Sequence, residues 1–115
     1  MTTERKIIVT GGRMYSDWVT VQATLSALNP TTIIQGGAKG ADLLAVKYAK
    51  MHNISCVTYE ANWDQYGVSA GPKRNHKMVF DNPTSVVVAF PGGAGTENCI
   101  KTALEAGLLV LRVEP

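Results

Sequence analysis

Three glycine-rich stretches hold the residue types in this chain best suited to grip an anion. They are Gly11-Gly12-Arg13-Met14-Tyr15-Ser16-Asp17, Gly36-Gly37-Ala38-Lys39-Gly40-Ala41-Asp42 and Pro91-Gly92-Gly93-Ala94-Gly95-Thr96. Glycine permits positive φ and lets backbone amides approach a ligand with no Cβ in the way. Each stretch precedes a helical pattern, where free first-turn amides and the helix dipole attract negative charge. A phosphate fits Gly93 to Thr96, with the Thr96 hydroxyl as an added donor, or Gly37 to Gly40. Glycines also make tight strand-to-helix turns, so one stretch alone decides nothing; three that converge on one cleft point to a ligand site.

Other side chains add to this set. Arg74, between Lys73 and Lys77, offers a planar fork for bidentate phosphate contact with Asn75 beside it; the alternative is a solvated basic face. Asp42 either caps the second helix or bonds ribose hydroxyls, and Arg13 and Asp17 either flank the cleft mouth or pair locally. Trp63 and Tyr66 either stack on a base or cover a core edge. His52 and His76 lack cysteine or carboxylate neighbours at ligand spacing, so no metal is expected, and no cofactor is implied. Cys56 and Cys99 read as small apolar core residues, and Met14, Met51 and Met78 as gap fillers. A P-loop is absent, and so is the G-x-G-x-x-G dinucleotide spacing. The second strand ends in Gln35-Gly36-Gly37 rather than an acid, which disfavours NAD-linked hydride transfer.

The elements that must position these residues alternate regularly. Lys6 to Thr10, Thr31 to Gln35, Ile54 to Tyr59, Ser85 to Phe90 and Leu108 to Val113 read as strands. Trp18, Val21, Leu25 and Leu28 make the first helical stripe, capped by Ser16 or Asp17 and stopped at Asn29-Pro30. Ala41, Leu44, Ala45, Tyr48 and Ala49 make the second. The third runs from about Pro72 to Asp81, and Ile100, Ala103, Leu104 and Gly107 mark the fourth. This alternation predicts an α/β, Rossmann-like three-layer sandwich: a five-stranded, mostly parallel sheet in the order 3-2-1-4-5 with helices on both faces. The three glycine stretches then meet at the carboxyl ends of the strands, where such sheets bind ligands.

With 115 residues, the chain fits a single domain spanning 1–115. Its 45% hydrophobic and 17% charged content is dispersed, with no repeats or tracts, which argues against disorder. A net charge of +2 is too small for a nucleic-acid face, so no nucleic acid is expected as partner. There is no signal-peptide pattern and no run of about 18 apolar residues, so no membrane partner is expected. Two cysteines make a disulfide framework improbable, and a cytoplasmic location is the default.

GGRMYSD, QGGAKGAD, NWDQYGVSAGPKRNHKM and FPGGAGTENC, in that order over nearly the whole chain, resemble the SLOG superfamily, in its YspA-like branch. The resemblance implies a Rossmann-like fold that recognises nucleotides or nucleotide-derived ligands. Its relatives include phosphoribohydrolases once described as lysine decarboxylases. Those enzymes pair an upstream arginine, matched by Arg74, with the glutamate of PGGxGTxxE. Here that position is Cys99, and Glu97 points about 160° away from it on a helix. Arg74, Glu97 and Asp42 remain the candidates if the chain is an enzyme. The expected function is binding of a nucleoside phosphate, cyclic nucleotide or ADP-ribose-like molecule, as sensor, carrier or sequestering module. The alternatives are N-glycoside hydrolysis of nucleoside monophosphates and a role in homo-oligomeric assembly.

Overall fold

The computed structural model describes residues 3–115. Strands β1 (Lys6–Thr10), β2 (Thr32–Gln35), β3 (Ser55–Thr58), β4 (Val86–Ala89) and β5 (Leu109–Arg112) form one sheet in the order β3-β2-β1-β4-β5. Every neighbouring pair is parallel, so the expected order stands and the sheet is wholly parallel. Because β1 lies between β2 and β4, the chain reverses its direction of progress across the sheet there. That reversal opens a crevice at the carboxyl ends of these strands.

Side-chain alternation along the strands builds two cores. Ile7, Val9, Ile33 and Val88 pack with Val21 and Leu25 of α1 (Trp18–Leu28) and with Ala45, Tyr48 and Ala49 of α2 (Ala41–Met51). On the other face, Ile8, Ile34 and Val87 meet Met78 and Val79 of α4 (Ala70–Phe80) and Cys99 and Ala103 of α5 (Ala94–Glu105). The result is three layers, helices over sheet over helices. Asp17 caps α1, accepting the Thr20 amide at 3.1 Å and its hydroxyl at 2.6 Å, and these bonds hold its carboxyl below the usual value. Asn29 ends the helix in the left-handed region, at φ 50°.

Several local expectations need correction. Helix α4 begins at Ala70, two residues before Pro72; the proline lies in the first turn, where a missing amide costs nothing. The segment after β3 holds a one-turn helix α3 (Trp63–Tyr66) and a 3₁₀ turn (Gly67–Ser69), too short to leave an apolar period in the sequence. Leu104, expected in the buried stripe of α5, is exposed, whereas Ile100 and Ala103 are buried. Cys56 is exposed as well, because β3 is an edge strand whose four residues all face solvent. Met14 and Met51 are exposed and fill no gap; Met78 is buried and does. No helix among the described residues is long and apolar enough to cross a membrane.

Glycine is obligatory at the start of α2. Gly40 has φ +80°, and a Cβ there would collide with the Gly12 carbonyl oxygen and the Arg13 backbone. Gly107, at φ +82°, has open space around its would-be Cβ. Gly107→Ala should therefore cost about 1–2 kcal/mol, from left-handed strain alone. Gly40→Ala should cost roughly 1–3 kcal/mol more, because backbone must also move. Urea unfolding of the two variants measures the difference, and equal losses would refute the close approach.

Candidate functional site

The backbone of Gly12 joins all three glycine stretches. Its N–H donates to the Pro91 carbonyl at 2.9 Å, and its carbonyl accepts from the amides of Ala41 and Tyr15, both at 3.2 Å. The loops after β1, β2 and β4 are thus fixed to one another by backbone alone. Between them and the first turns of α4 and α5 lies a cavity of about 510 Å³. Gly11, Gly12 and Arg13 line it from the β1 loop, and Gly36 and Asp42 from the β2 side. Arg74 and Asn75 line it from α4, and Gly93, Ala94, Gly95 and Thr96 from the start of α5.

Other expected residues stand outside this cavity. Asp17, Lys39 and Gly40 do not line it; Asp17 caps α1, and Gly40 holds the turn against Gly12. Gly37 lines a smaller cavity of about 200 Å³ beside it, and Pro91 and Gly92 line one of about 170 Å³ near the carboxyl terminus. Glu97, one of the candidate acids, lines that last cavity and is turned from the cleft by a bidentate pair with Arg112, 3.1 Å at each contact. Tyr66 lies outside too, with the Lys73 ammonium 4.9 Å from its ring centre. Trp63 lines the cavity, with the Arg13 guanidinium 5.7 Å from its ring centre. Gly71 lets it approach α4, since a Cβ there would come within 3.2 Å of the indole.

The two candidate phosphate cradles differ in which amides are free. In the β2 loop, the amides of Gly36 and Ala38 both donate to Asp42 Oδ2 at 3.2 Å, and that of Gly37 donates to Gln35 Oε1 at 2.5 Å. The amide of Ala41 is taken by Gly12. At the start of α5, by contrast, the N–H groups of Gly93, Ala94, Gly95 and Thr96 have no acceptor among the described residues. A Cβ added to Gly93 or Gly95 would meet nothing within 4 Å, and neither residue has positive φ. The Thr96 side chain is buried, and its hydroxyl has no partner among the described residues. Helix amides left unpaired by the protein form a preorganised anion site.

Around that helix start, Asn75 is buried and fully engaged. Its Nδ2 donates to the Gly95 carbonyl at 3.2 Å and to Asn98 Oδ1 at 3.0 Å, and its Oδ1 accepts from Arg74 Nε at 2.8 Å. Arg74 Nη1 also donates to the Gly36 carbonyl at 2.8 Å, which fixes the guanidinium while leaving Nη2 unengaged among the described residues. Asp42 is buried, and burial pushes its carboxyl above the usual value against the opposing pull of the Ala38 amide, the Arg74 charge and the Gly36 amide. Burial pushes the Cys99 thiol up to about 11, so it stays protonated and unreactive at neutral pH.

Sequence reasoning missed Asn98, which lines the cavity where Glu97 does not. Helical spacing carries only part of the signal: Asn98 follows Ala94 and Gly95 by four and three residues, but Glu97 stands at the same spacing from Gly93 and Ala94, and its pair with Arg112 takes it to the other side. Val68 also lines the cavity while remaining 95% exposed, so it forms part of the rim. Among the described residues, no cluster of three or more His, Cys, Asp or Glu is placed to hold a metal.

The Asp42 environment gives a pH dependence of definite sign. Its pKa is raised in the folded chain and returns to about 3.9 on unfolding, so the folded state binds the proton more tightly. This contribution to stability is complete below pH about 4 and is lost as pH rises through the folded value. Asp42→Asn keeps an acceptor for the two amides and carries no charge. The wild-type chain should therefore lose stability relative to Asp42→Asn as pH rises above about 4 in urea unfolding. The opposite slope would mean that the amides and Arg74 outweigh burial.

Comparison with known proteins agrees with this architecture. The model of a family described as YspA, cpYpsA-related SLOG matches residues 5–66, from β1 through α3. Gene 61 protein of Mycobacterium phage D29 is 33% identical over 119 aligned positions, covering 93% of this chain and 94% of the phage protein. The chain belongs to the YspA, cpYpsA-related SLOG family.

Proposed function

We propose that the cavity binds the phosphate and ribose of a nucleotide or nucleotide-derived small molecule, and that the chain acts by capturing this ligand rather than cleaving it. One observation carries the reading. Four consecutive residues, from Gly93 to Thr96, line the cavity with amides that have no acceptor among the described residues, and Gly93 and Gly95 are required neither by positive φ nor by a packed neighbour. Glycines that only made a turn would show one of those requirements, as Gly40 does. Glycine at these positions instead keeps the helix start open to an anion.

The neighbouring groups suit the rest of such a ligand. Arg74, held from two sides, presents its remaining donors to phosphate oxygens. Asp42 Oδ1 has no donor among the described residues and suits a ribose hydroxyl. Trp63, under the Arg13 guanidinium, offers a stacking face for a base. Membership of the SLOG family supports nucleotide recognition.

Hydrolysis finds less support. Cleaving an N-glycosidic bond calls for a carboxylate beside the sugar to stabilise positive charge as it develops. Glu97 is paired with Arg112 away from the cleft, and the buried Cys99 thiol occupies the position of the hydrolases' glutamate. Asp42 faces the cavity, but its Oδ2 holds two amides.

A thermal-shift screen with nucleoside mono-, di- and triphosphates, cyclic nucleotides and ADP-ribose tests the proposal. A binder at about 100 times its Kd should stabilise the chain by about 2.7 kcal/mol. Gly95→Leu should fold at least as well, since leucine favours a helix over glycine by up to about 1 kcal/mol, yet should abolish the shift by filling the cradle. The proposal fails if no probe shifts the melting temperature, or if Gly95→Leu binds as the wild type does.

A further inference from the structure

Strand β5 ends the sheet, with β4 on one side and no strand on the other. The Val113 amide donates to the Ala89 carbonyl at 2.8 Å, so β5 turns the backbone groups of its odd-numbered residues toward β4. By the same alternation Val110 and Arg112 turn theirs to the open edge. Native sheets blunt such an edge with lysine, proline or a bulge. Leu109 to Arg112 carries none of these, and its one charge is drawn onto Glu97.

Side chains make the same edge apolar. Leu109 and Leu111 pair in register with Val86 and Val88, which puts them on the α1 and α2 side of the sheet. They are nevertheless 74% and 43% exposed, so those helices stop short of β5. Val113, next in the stripe, is half-buried. On the opposite side Leu104 stands two turns along α5 from Glu97, whose reach to Arg112 marks that helix face as the one toward β5. It too is exposed.

A second copy of the chain fits this edge best in one register. About a two-fold axis through Leu111, antiparallel pairing sets Val110 of each copy opposite Arg112 of the other, so the outward-facing residues exchange hydrogen bonds. Leu111 then meets its own counterpart at a non-hydrogen-bonded position, where side chains come closest, and Leu109 meets Val113. The apolar stripe covers itself. Moving the axis to Arg112 would set two guanidiniums directly opposite, which is destabilising. Moving it to Val110 would set Arg112 against Leu108, whose amide is already given to the Ala103 carbonyl. We propose that the chain forms a two-fold dimer through β5, centred on Leu111, which joins two five-stranded sheets into one.

Sedimentation of the full chain through a micromolar to submillimolar dilution series tests this. The wild type should sediment as a dimer at the upper end. Leu111→Lys and Leu111→Glu, each setting like charges opposite one another at an exposed position, should each weaken the dimer about tenfold or more. An equimolar mixture of the two variants should recover it, because lysine then faces glutamate; a folding defect would not be rescued by mixing. A wild-type chain that stays monomeric would overturn the inference and leave the edge to a strand of another protein. A dimer indifferent to both substitutions, a mixture as weak as its components, or assembly beyond two copies would overturn it as well.

Discussion

The cleft depends on the backbone of one residue. Gly12 gives its N–H to Pro91 and receives the amides of Ala41 and Tyr15 on its carbonyl, so the loop after β1 is bonded to the loop after β4 and to the first turn of α2. Loops held only by side chains would carry rotamer freedom into the site; here rigid backbone joins them. The close approach explains why side chains are missing nearby. A Cβ on Gly40 would strike the Gly12 carbonyl, and one on Gly92 would strike the Thr96 hydroxyl. All three stretches thus use glycine partly for their own junction, and the glycines free of that demand, Gly93 and Gly95, lie in the third.

Satisfaction of buried polar groups divides the cavity in the same way. Burying a polar group without a partner costs about 1–3 kcal/mol, so most such groups in a folded chain find one. On the β2 side they do: Gln35, itself buried, bridges the Gly37 amide and the Thr58 hydroxyl, and Asp42 closes on Gly36 and Ala38. On the α4 side Asn75 bonds to Arg74, Gly95 and Asn98 together, coupling the arginine to the helix start it faces. Both networks make rigid walls. The helix start of α5 differs: Gly93, Ala94 and Gly95 are exposed, and their amides are left open by the protein rather than closed by a neighbouring side chain.

Much of this was legible in the sequence, for physical reasons that can be named. Continuous apolar runs at Lys6 to Thr10 and around Val86 to Ala89 required cover on both faces, and their alternation with helical stripes pointed to a doubly wound parallel sheet, of which 3-2-1-4-5 is one common order. The glycine stretches marked the crevice because sheet order decides where strand ends meet. What stayed hidden was contact-dependent. Nothing in GGAKGAD reveals that Asp42 and Gln35 take up its amides, whereas in PGGAGT no side chain does so. Cys56 and Val57 resemble core residues by type, yet β3 lies at the sheet edge and both are exposed. Trp63–Tyr66 is too brief for any periodic signal, and only the fold places Trp63 against Gly71 and the cavity.

The fate of Glu97 bears on why the cleft suits an anion. An acidic residue in the first turn of a helix stabilises it by facing the dipole, and Glu97 holds that position in α5. Left free, the same charge would oppose any phosphate arriving at the same amides. The bidentate pair with Arg112 on β5 neutralises it and turns it to the side of the helix away from the main cavity. Asn98, uncharged, takes the cavity-facing position one residue later. The nearest remaining carboxylate, Asp42, is the one that burial makes harder to ionise. Helix amides, Arg13 and Arg74 line the cleft, while Glu97 is paired outside it and Asp42 is buried against two amides. The chain as a whole has a net charge of only +2, so the suitability of the cleft for an anion comes from placement rather than from charge in excess.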